Sequence, residues 1–215
     1  NLNLDALHVA PVKRDRAEMG SFANMRGADE LARVGRQLNA LYPDGLTRAV
    51  RRDETVNELE RLLAHDDKRA LMITGRSGVG KTAVIHEVVR RRMVGKEGIP
   101  SRGQIWLVSP QRLISGMSYV GQWENRVHAI LDECKRRGHV LFFDDLVGLF
   151  RAGISANSKV SVAQVLKPHL ERREVRILAE ITPEQLRRLN EIDRGFADLF
   201  HLMPLAEPDA PEAMR

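Results

Sequence analysis

The stretch GRSGVGKT, Gly75 to Thr82, carries the clearest chemistry in the chain. It satisfies the spacing of a glycine, four residues of any kind, then Gly-Lys-Ser/Thr, and it lies between an apolar strand-like run and a helical one. Glycines so placed let successive backbone N–H groups converge on phosphate oxygens, and the helix that follows adds its positive end. Gly75, Ser77, Gly78, Val79 and Gly80 would line that cradle, Lys81 would reach the β and γ phosphates, and the Thr82 hydroxyl would ligate Mg²⁺. With glycine near 7% of residues, a chance match is expected in about one chain in a hundred of this length, so nucleotide binding is the stronger reading. A second group ends the run VLFFDD, where a buried strand delivers two carboxylates. Asp144 takes the place of the Mg²⁺-holding aspartate of phosphoryl-transfer sites. Asp145 is the candidate base for the attacking water, one methylene shorter than a glutamate.

Such residues need a scaffold that brings distant segments to one edge. From Arg69 onward short apolar runs alternate with helical ones. ALMIT precedes KTAVIHEVVRRRMV, QIWLVS precedes QWENRVHAILDECKRRG, and HVLFF precedes SVAQVLKPHLERR. EVRILA is followed by the short helix PEQLRRL, with proline at its first turn, and HLMPL reads as a last strand. The alternation predicts an α/β fold, a parallel sheet with helices on both faces and its ligand site at the carboxyl ends of the strands. Upstream, ADELARVGRQLNAL has the spacing of one helix, YPDG of a turn, and residues Asp53 to Ala64 of a second helix. Residues 1–27 are polar and irregular. The expected division is a linker and helical arm over 1–45 and a nucleotide-binding domain over 46–208.

Composition narrows the class. A chain of 215 residues with 43% hydrophobic content can bury one core of ordinary size. The net charge of +5 and pI near 9.7 invite a nucleic-acid reading. The arginine pairs, however, close predicted helices, where cations complement the last carbonyls, and aromatics make up only 5%. Nucleic acid is therefore not expected as a partner. No apolar run approaches a membrane span, no secretory leader is evident, and the single Cys134 has no internal disulfide partner. A reducing, cytoplasmic setting is expected.

Several ordered segments resemble one family, the AAA+ ATPases, and within it the Clp protein unfoldases and disaggregases. AVRRDETVNELERLL resembles the family's leading segment, with Arg51 in place of a glycine. GMSYVGQWENRVHAIL resembles its Gly-Thr-Lys-Tyr-Arg-Gly-Glu-Phe-Glu-Glu-Arg pattern. VAQVLKPHLERREVRILAEIT resembles its Ala-Asn-Leu-Leu-Lys-Pro segment and next strand, and LAEP its closing Thr-Glu-Pro. The resemblance implies a P-loop NTPase three-layer sandwich, the AAA+ large subdomain. It implies Mg-ATP as cofactor and a hexameric ring that threads a polypeptide substrate, with an adaptor or peptidase as further partners. Tyr119, Val120 and Gly121 would form the pore loop, an aromatic ring suiting grip on any side chain. Thr182 would read the γ phosphate or orient water, and by its place before Pro183 it is also a helix N-cap. Val50 and Arg51 would contact the base. Residues 209–215 would begin a lid subdomain that is missing from this sequence.

Three departures shape the expected activity. Asp145 stands where the family has glutamate, and a misplacement of about 1 Å can cost on the order of 10²-fold in rate. Asp198 and Leu199 stand where the family has arginine fingers, worth about 10³–10⁵ in turnover in related enzymes. Arg194 lies one helical turn earlier. The lid, which would close over adenine, is absent from the sequence. The expected function is an ATPase with slow or partner-dependent hydrolysis that remodels protein through a ring pore. The alternative is a degenerate nucleotide-binding scaffold or regulatory ring subunit. A nucleic-acid-dependent ATPase rests on charge alone.

Overall fold

The computed structural model describes residues 26–94, 103–117, 121–155 and 158–207. Residues 26–34 are helical (α1). There follow β1 (Gly35–Gln37), a 3₁₀ turn (Leu38–Leu41), α2 (Asp53–Ala64), β2 (Ala70–Thr74) and α3 (Lys81–Val94). Next come β3 (Ile105–Val108), α4 (Pro110–Ile114), α5 (Gln122–Arg137), β4 (Val140–Phe143) and a 3₁₀ turn (Val147–Phe150). The last elements are α6 (Val162–Glu171), β5 (Arg176–Ile181), α7 (Pro183–Ala197) and β6 (Phe200–Pro204).

The six strands form one sheet in the order β1-β3-β4-β5-β2-β6. All pairings are parallel except that of β1 with β3. Alternation along the strands divides the core into two layers. Leu141, Phe143 and Met72 face α5, α6 and α7 on one side, while Val140, Phe142 and Ile73 face α2 and α3 on the other. Every residue of β4 is buried, as expected of a strand covered on both faces. This is the α/β fold read from the sequence, a parallel sheet flanked by helices.

The predicted continuous helix over 28–41 is the main difference. α1 ends at Val34, the chain pairs with β3 as an edge strand, and only then makes a 3₁₀ turn. Leu31 and Val34 belong to one apolar layer and Leu38 to the other. A single helix at this edge could not serve both faces, whereas three strand residues carry the chain across. Asn39 fastens the crossing by accepting the Ile105 N–H at 2.9 Å. Two short elements, α4 and the turn after β4, were not anticipated. α7 also runs well past the predicted PEQLRRL segment, with a kink at Asp193 (φ −156°, ψ 91°). There the Asp193 carboxylate accepts the Phe196 N–H and pairs with Lys167 at 2.8 Å.

Candidate functional site

The carboxyl ends of β2, β4 and β5 meet at one edge, and the loop from Gly75 to Gly80 leaves β2 there to start α3. Gly75 lies against the segment just after β6: a Cβ there would come within 2.7 Å of the Leu205 carbonyl. Gly78 (φ 80°) and Gly80 (φ 99°) adopt the left-handed backbone region that other residues rarely enter. A Cβ added at either would meet nothing within 4 Å, so the backbone is open to a ligand. Lys81 is buried and its Nζ donates to the carbonyls of Gly75 (2.8 Å) and Arg76 (2.9 Å). These two bonds hold the ammonium beside the loop and leave one donor for a phosphate.

Thr82, next along α3, donates its hydroxyl to both carboxylate oxygens of Glu180, at 2.9 and 2.8 Å. Glu180 lies near the end of β5, in register with Ile73 of β2. Burial pushes its carboxyl up, the Thr82 bond and Lys81 draw it down, and Asp144 adds a smaller upward push. The sequence reading did not single out this residue. Its signal is a lone acid in the apolar run RILAEI of a central strand.

The two aspartates after β4 divide. Asp144 is exposed at the strand end, near enough to Glu180 to act on it electrostatically. Asp145 is engaged locally: its Oδ1 accepts the Gly148 N–H of the following 3₁₀ turn at 2.8 Å. The candidate base is thus committed to a local structural bond. Thr82 and Asp144 offer hard oxygen donors that suit Mg²⁺, with Glu180 behind the Thr82 hydroxyl. Among the described residues no group of three or more His, Cys, Asp or Glu side chains converges as a metal cage. Mg²⁺ usually binds through one or two carboxylates plus phosphates and water, so the residues present fit that ion.

Thr182 follows β5 and caps α7. Its hydroxyl accepts the Gln185 N–H at 3.2 Å, and Gln185 returns the bond to the Thr182 N–H at 2.9 Å. Glu184, in that first turn, is held below the usual carboxylate range by its own N–H and by the Thr182 hydroxyl. The capping expected of Thr182 is thus present, as a reciprocal box with Gln185.

On the base side, Val50 is 75% exposed and Arg51 has φ 55°. Their segment is tied down at both ends. Thr47 N–H donates to His86 Nδ1 at 3.1 Å, and Arg52 donates to the Val79 carbonyl at 3.3 Å. Burial, then the charge of Arg36, lowers the His86 pKa, keeping the ring neutral and able to accept.

Tyr119 and Val120 lie outside the described residues; Gly121 (φ 87°) is the N-cap of α5. The segment leading to them is anchored by Arg126, a buried arginine that the sequence reading passed over. It donates to Glu30 at 2.7 Å and to the carbonyls of Leu113 (3.2 Å) and Ser115 (2.9 Å). Its position between Trp123 and Ile130 on the apolar face of α5 was the available signal. At the far end of α7, Asp198 and Arg194 are both exposed and face each other at 3.9 Å.

A family model described as "ATPase family associated with various cellular activities (AAA)" matches residues 71–194. The chain is 32% identical over 181 residues to the chaperone protein ClpB of Aquifex aeolicus, covering 83% of this chain and 18% of that protein. It is 30% identical over 193 residues to ClpB of Mycoplasma pneumoniae, covering 86% of this chain and 27% of the relative. Its fold superimposes on Hsp104 of S. cerevisiae, solved in complex with casein in an extended conformation. The TM-score is 0.70 at 26% identity, over 84% of this chain and 31% of Hsp104. The chain therefore spans less than a third of the length of any of these relatives.

Proposed function

The chain belongs to the AAA family of ATPases, and on that premise we propose that it is the Mg-ATP-binding module of a Clp-like remodelling machine. Its hydrolysis is slow or depends on a partner. The observation that carries this reading is the phosphate loop. Two glycines at positive φ open the backbone, Lys81 is fixed at the loop's base, and the Thr82 hydroxyl is oriented at the carboxyl edge of a parallel sheet. Loop N–H groups and Lys81 would bind the β and γ phosphates, and Thr82 with Asp144 would hold Mg²⁺. That ion would neutralise charge on the phosphates. Asp145 would activate water once its side chain leaves Gly148, and Thr182 would face the γ phosphate from the neighbouring strand end. Slow turnover follows from a base that is short and engaged elsewhere.

Similarity to ClpB and to Hsp104 supports a polypeptide substrate and a ring assembly, in which Tyr119 and its neighbours would grip the substrate. The ring would be homomeric or mixed, and a neighbour's arginine would supply what Asp198 and Leu199 do not. The second reading, a module that holds nucleotide without turning it over, draws on the Asp145–Gly148 bond.

Steady-state ATP hydrolysis across protein concentration separates the two. We expect turnover that rises with concentration, is abolished in Asp145→Asn and is raised in Asp145→Glu. Asparagine can still cap Gly148, so loss in that variant isolates base chemistry from local structure. Unaltered turnover in Asp145→Asn would remove Asp145 from the mechanism. Tight nucleotide binding with no turnover in any form would favour the scaffold.

A further inference from the structure

We infer that Glu180 is a magnesium-positioning residue, acting through the Thr82 hydroxyl to set the divalent cation that accompanies a bound nucleotide. The inference rests on the nucleotide reading above. It starts from an anomaly in the strand. β5 is a central strand, and its other inward positions are Ile177, Leu178, Ala179 and Ile181, all buried. Ala179 and Ile181 face the α5–α7 layer, and Leu178 faces the α2–α3 layer. By alternation Glu180 lies on the same side as Leu178, under the start of α3. Glu180 is half-buried where those neighbours are fully buried, a position where an apolar residue would complete the layer.

The partners it finds are specific. Thr82 Oγ1 lies 2.9 and 2.8 Å from the two carboxylate oxygens, so its single proton is drawn to Glu180. A hydroxyl has one proton and two lone pairs. With the proton committed to Glu180, the lone pairs are the part of Thr82 left to face a ligand, the orientation a cation requires. This is the relation by which outer-shell carboxylates fix the orientation and basicity of metal ligands, and losing such a partner typically costs 10–100-fold in metal affinity. Lys81, at the start of α3, and Asp144, at the end of β4, both act on Glu180 electrostatically, in opposite directions.

The sign of the effect separates this role from a structural one. Without a cation, Glu180 adds negative charge beside the phosphates and opposes nucleotide binding. With Mg²⁺ present it helps hold the ion and favours binding. Removing the charge should therefore act in opposite directions in the two conditions, which a general loosening of the fold cannot do.

The test is titration of the purified chain with a fluorescent ADP analogue, in excess EDTA and in Mg²⁺, for wild type, Glu180→Gln, Glu180→Ala and Thr82→Ala. The quantity read is the ratio of the two dissociation constants. We expect Mg²⁺ to tighten wild-type binding. Glu180→Gln and Glu180→Ala should lower that stimulation about tenfold, with affinity in EDTA unchanged or improved. Adding Glu180→Gln to Thr82→Ala should change the ratio no further, because the effect passes through the hydroxyl. A wild-type ratio preserved in both Glu180 variants overturns the inference, as does an equal loss of affinity in both conditions. Wild-type binding that ignores Mg²⁺ overturns it too, while leaving nucleotide binding intact. A wild-type chain that binds nucleotide in neither condition overturns the nucleotide reading itself, and this inference with it.

Discussion

Lys81 and Asp145 show how differently two charged residues of one site can be held. The Lys81 ammonium is buried against two backbone carbonyls, an arrangement that leaves one donor free. Lys81→Ala should abolish nucleotide binding in Mg²⁺ and in EDTA alike, read by the same fluorescent titration. Unchanged affinity would dismiss the phosphate-loop assignment. Asp145 satisfies a backbone donor instead, and its carboxylate must exchange that bond for a water before it can act as a base. The spacing of GRSGVGKT made the loop's backbone form legible from sequence, because the motif encodes backbone geometry, and Gly78 and Gly80 take positive φ. The direction of the Asp145 side chain was not legible. It depends on the Gly148 N–H three residues on, in a 3₁₀ turn whose apolar residues are held by tertiary packing.

At the scale of elements, one arginine ties α1, α4 and α5 together. Arg126 joins α5 to Glu30 of α1 and to the carbonyls that end α4, immediately before the segment bearing Tyr119. Removing it strips the largely buried Glu30 of its buried partner and leaves only the exposed Arg33 at 3.3 Å, so Arg126→Ala should cost about 3 kcal/mol of stability. Arg126→Lys should recover little of it, since an ammonium cannot match the planar fork across Glu30 and the carbonyls. Chemical denaturation checks both, and a loss below about 1 kcal/mol in Arg126→Ala would show that α4 and α5 hold their places without it. The kink in α7 is set in a similar way. Asp193 caps the turn after it and pairs with Lys167 of α6, so the last turn, with Arg194 and Asp198, takes a direction of its own.

The whole molecule should lose stability in two acid steps. His86 and His139 are both shifted below the ordinary histidine value of 6.5, chiefly by burial. The unfolded chain therefore binds their protons first, and the stability they contribute is present above pH 6.5 and lost as pH falls through their lower folded values. Protonated His86 can no longer accept the Thr47 N–H, so the segment carrying Val50 and Arg51 should loosen in this first step. The second step belongs to carboxylates. Glu87 is lowered from 4.5 chiefly by its bond to Arg90, and Asp193 from 3.8 chiefly by Lys167. Glu174 lies near 2 through its bonds to Arg172 and His169. Their contribution is present above about pH 4.5 and fades toward pH 2. Thermal unfolding followed from pH 7.5 to pH 3 should show a shallow decline below 6.5 and a steeper one below 4.5. A His86→Gln variant should flatten part of the first decline. A midpoint that stays constant down to pH 4 would contradict the histidine step.

The sequence by itself determined the alternation of β2 to β6 with their helices, the phosphate loop, and the arrival of Asp144 at a strand end. Each is a local signal of apolar period, glycine spacing or turn chemistry, read within one segment. The tertiary structure alone decided matters that depend on which segments become neighbours. It broke the helix predicted over 28–41, because Leu31 and Leu38 serve opposite faces of the sheet. It turned Asp145 back onto Gly148, and it placed Glu180 on Thr82 although 98 positions separate them in the chain. Sequence period specifies the face a side chain takes on its own element, whereas strand order and register decide which groups share an edge, the edge at which parallel α/β sheets bind ligands.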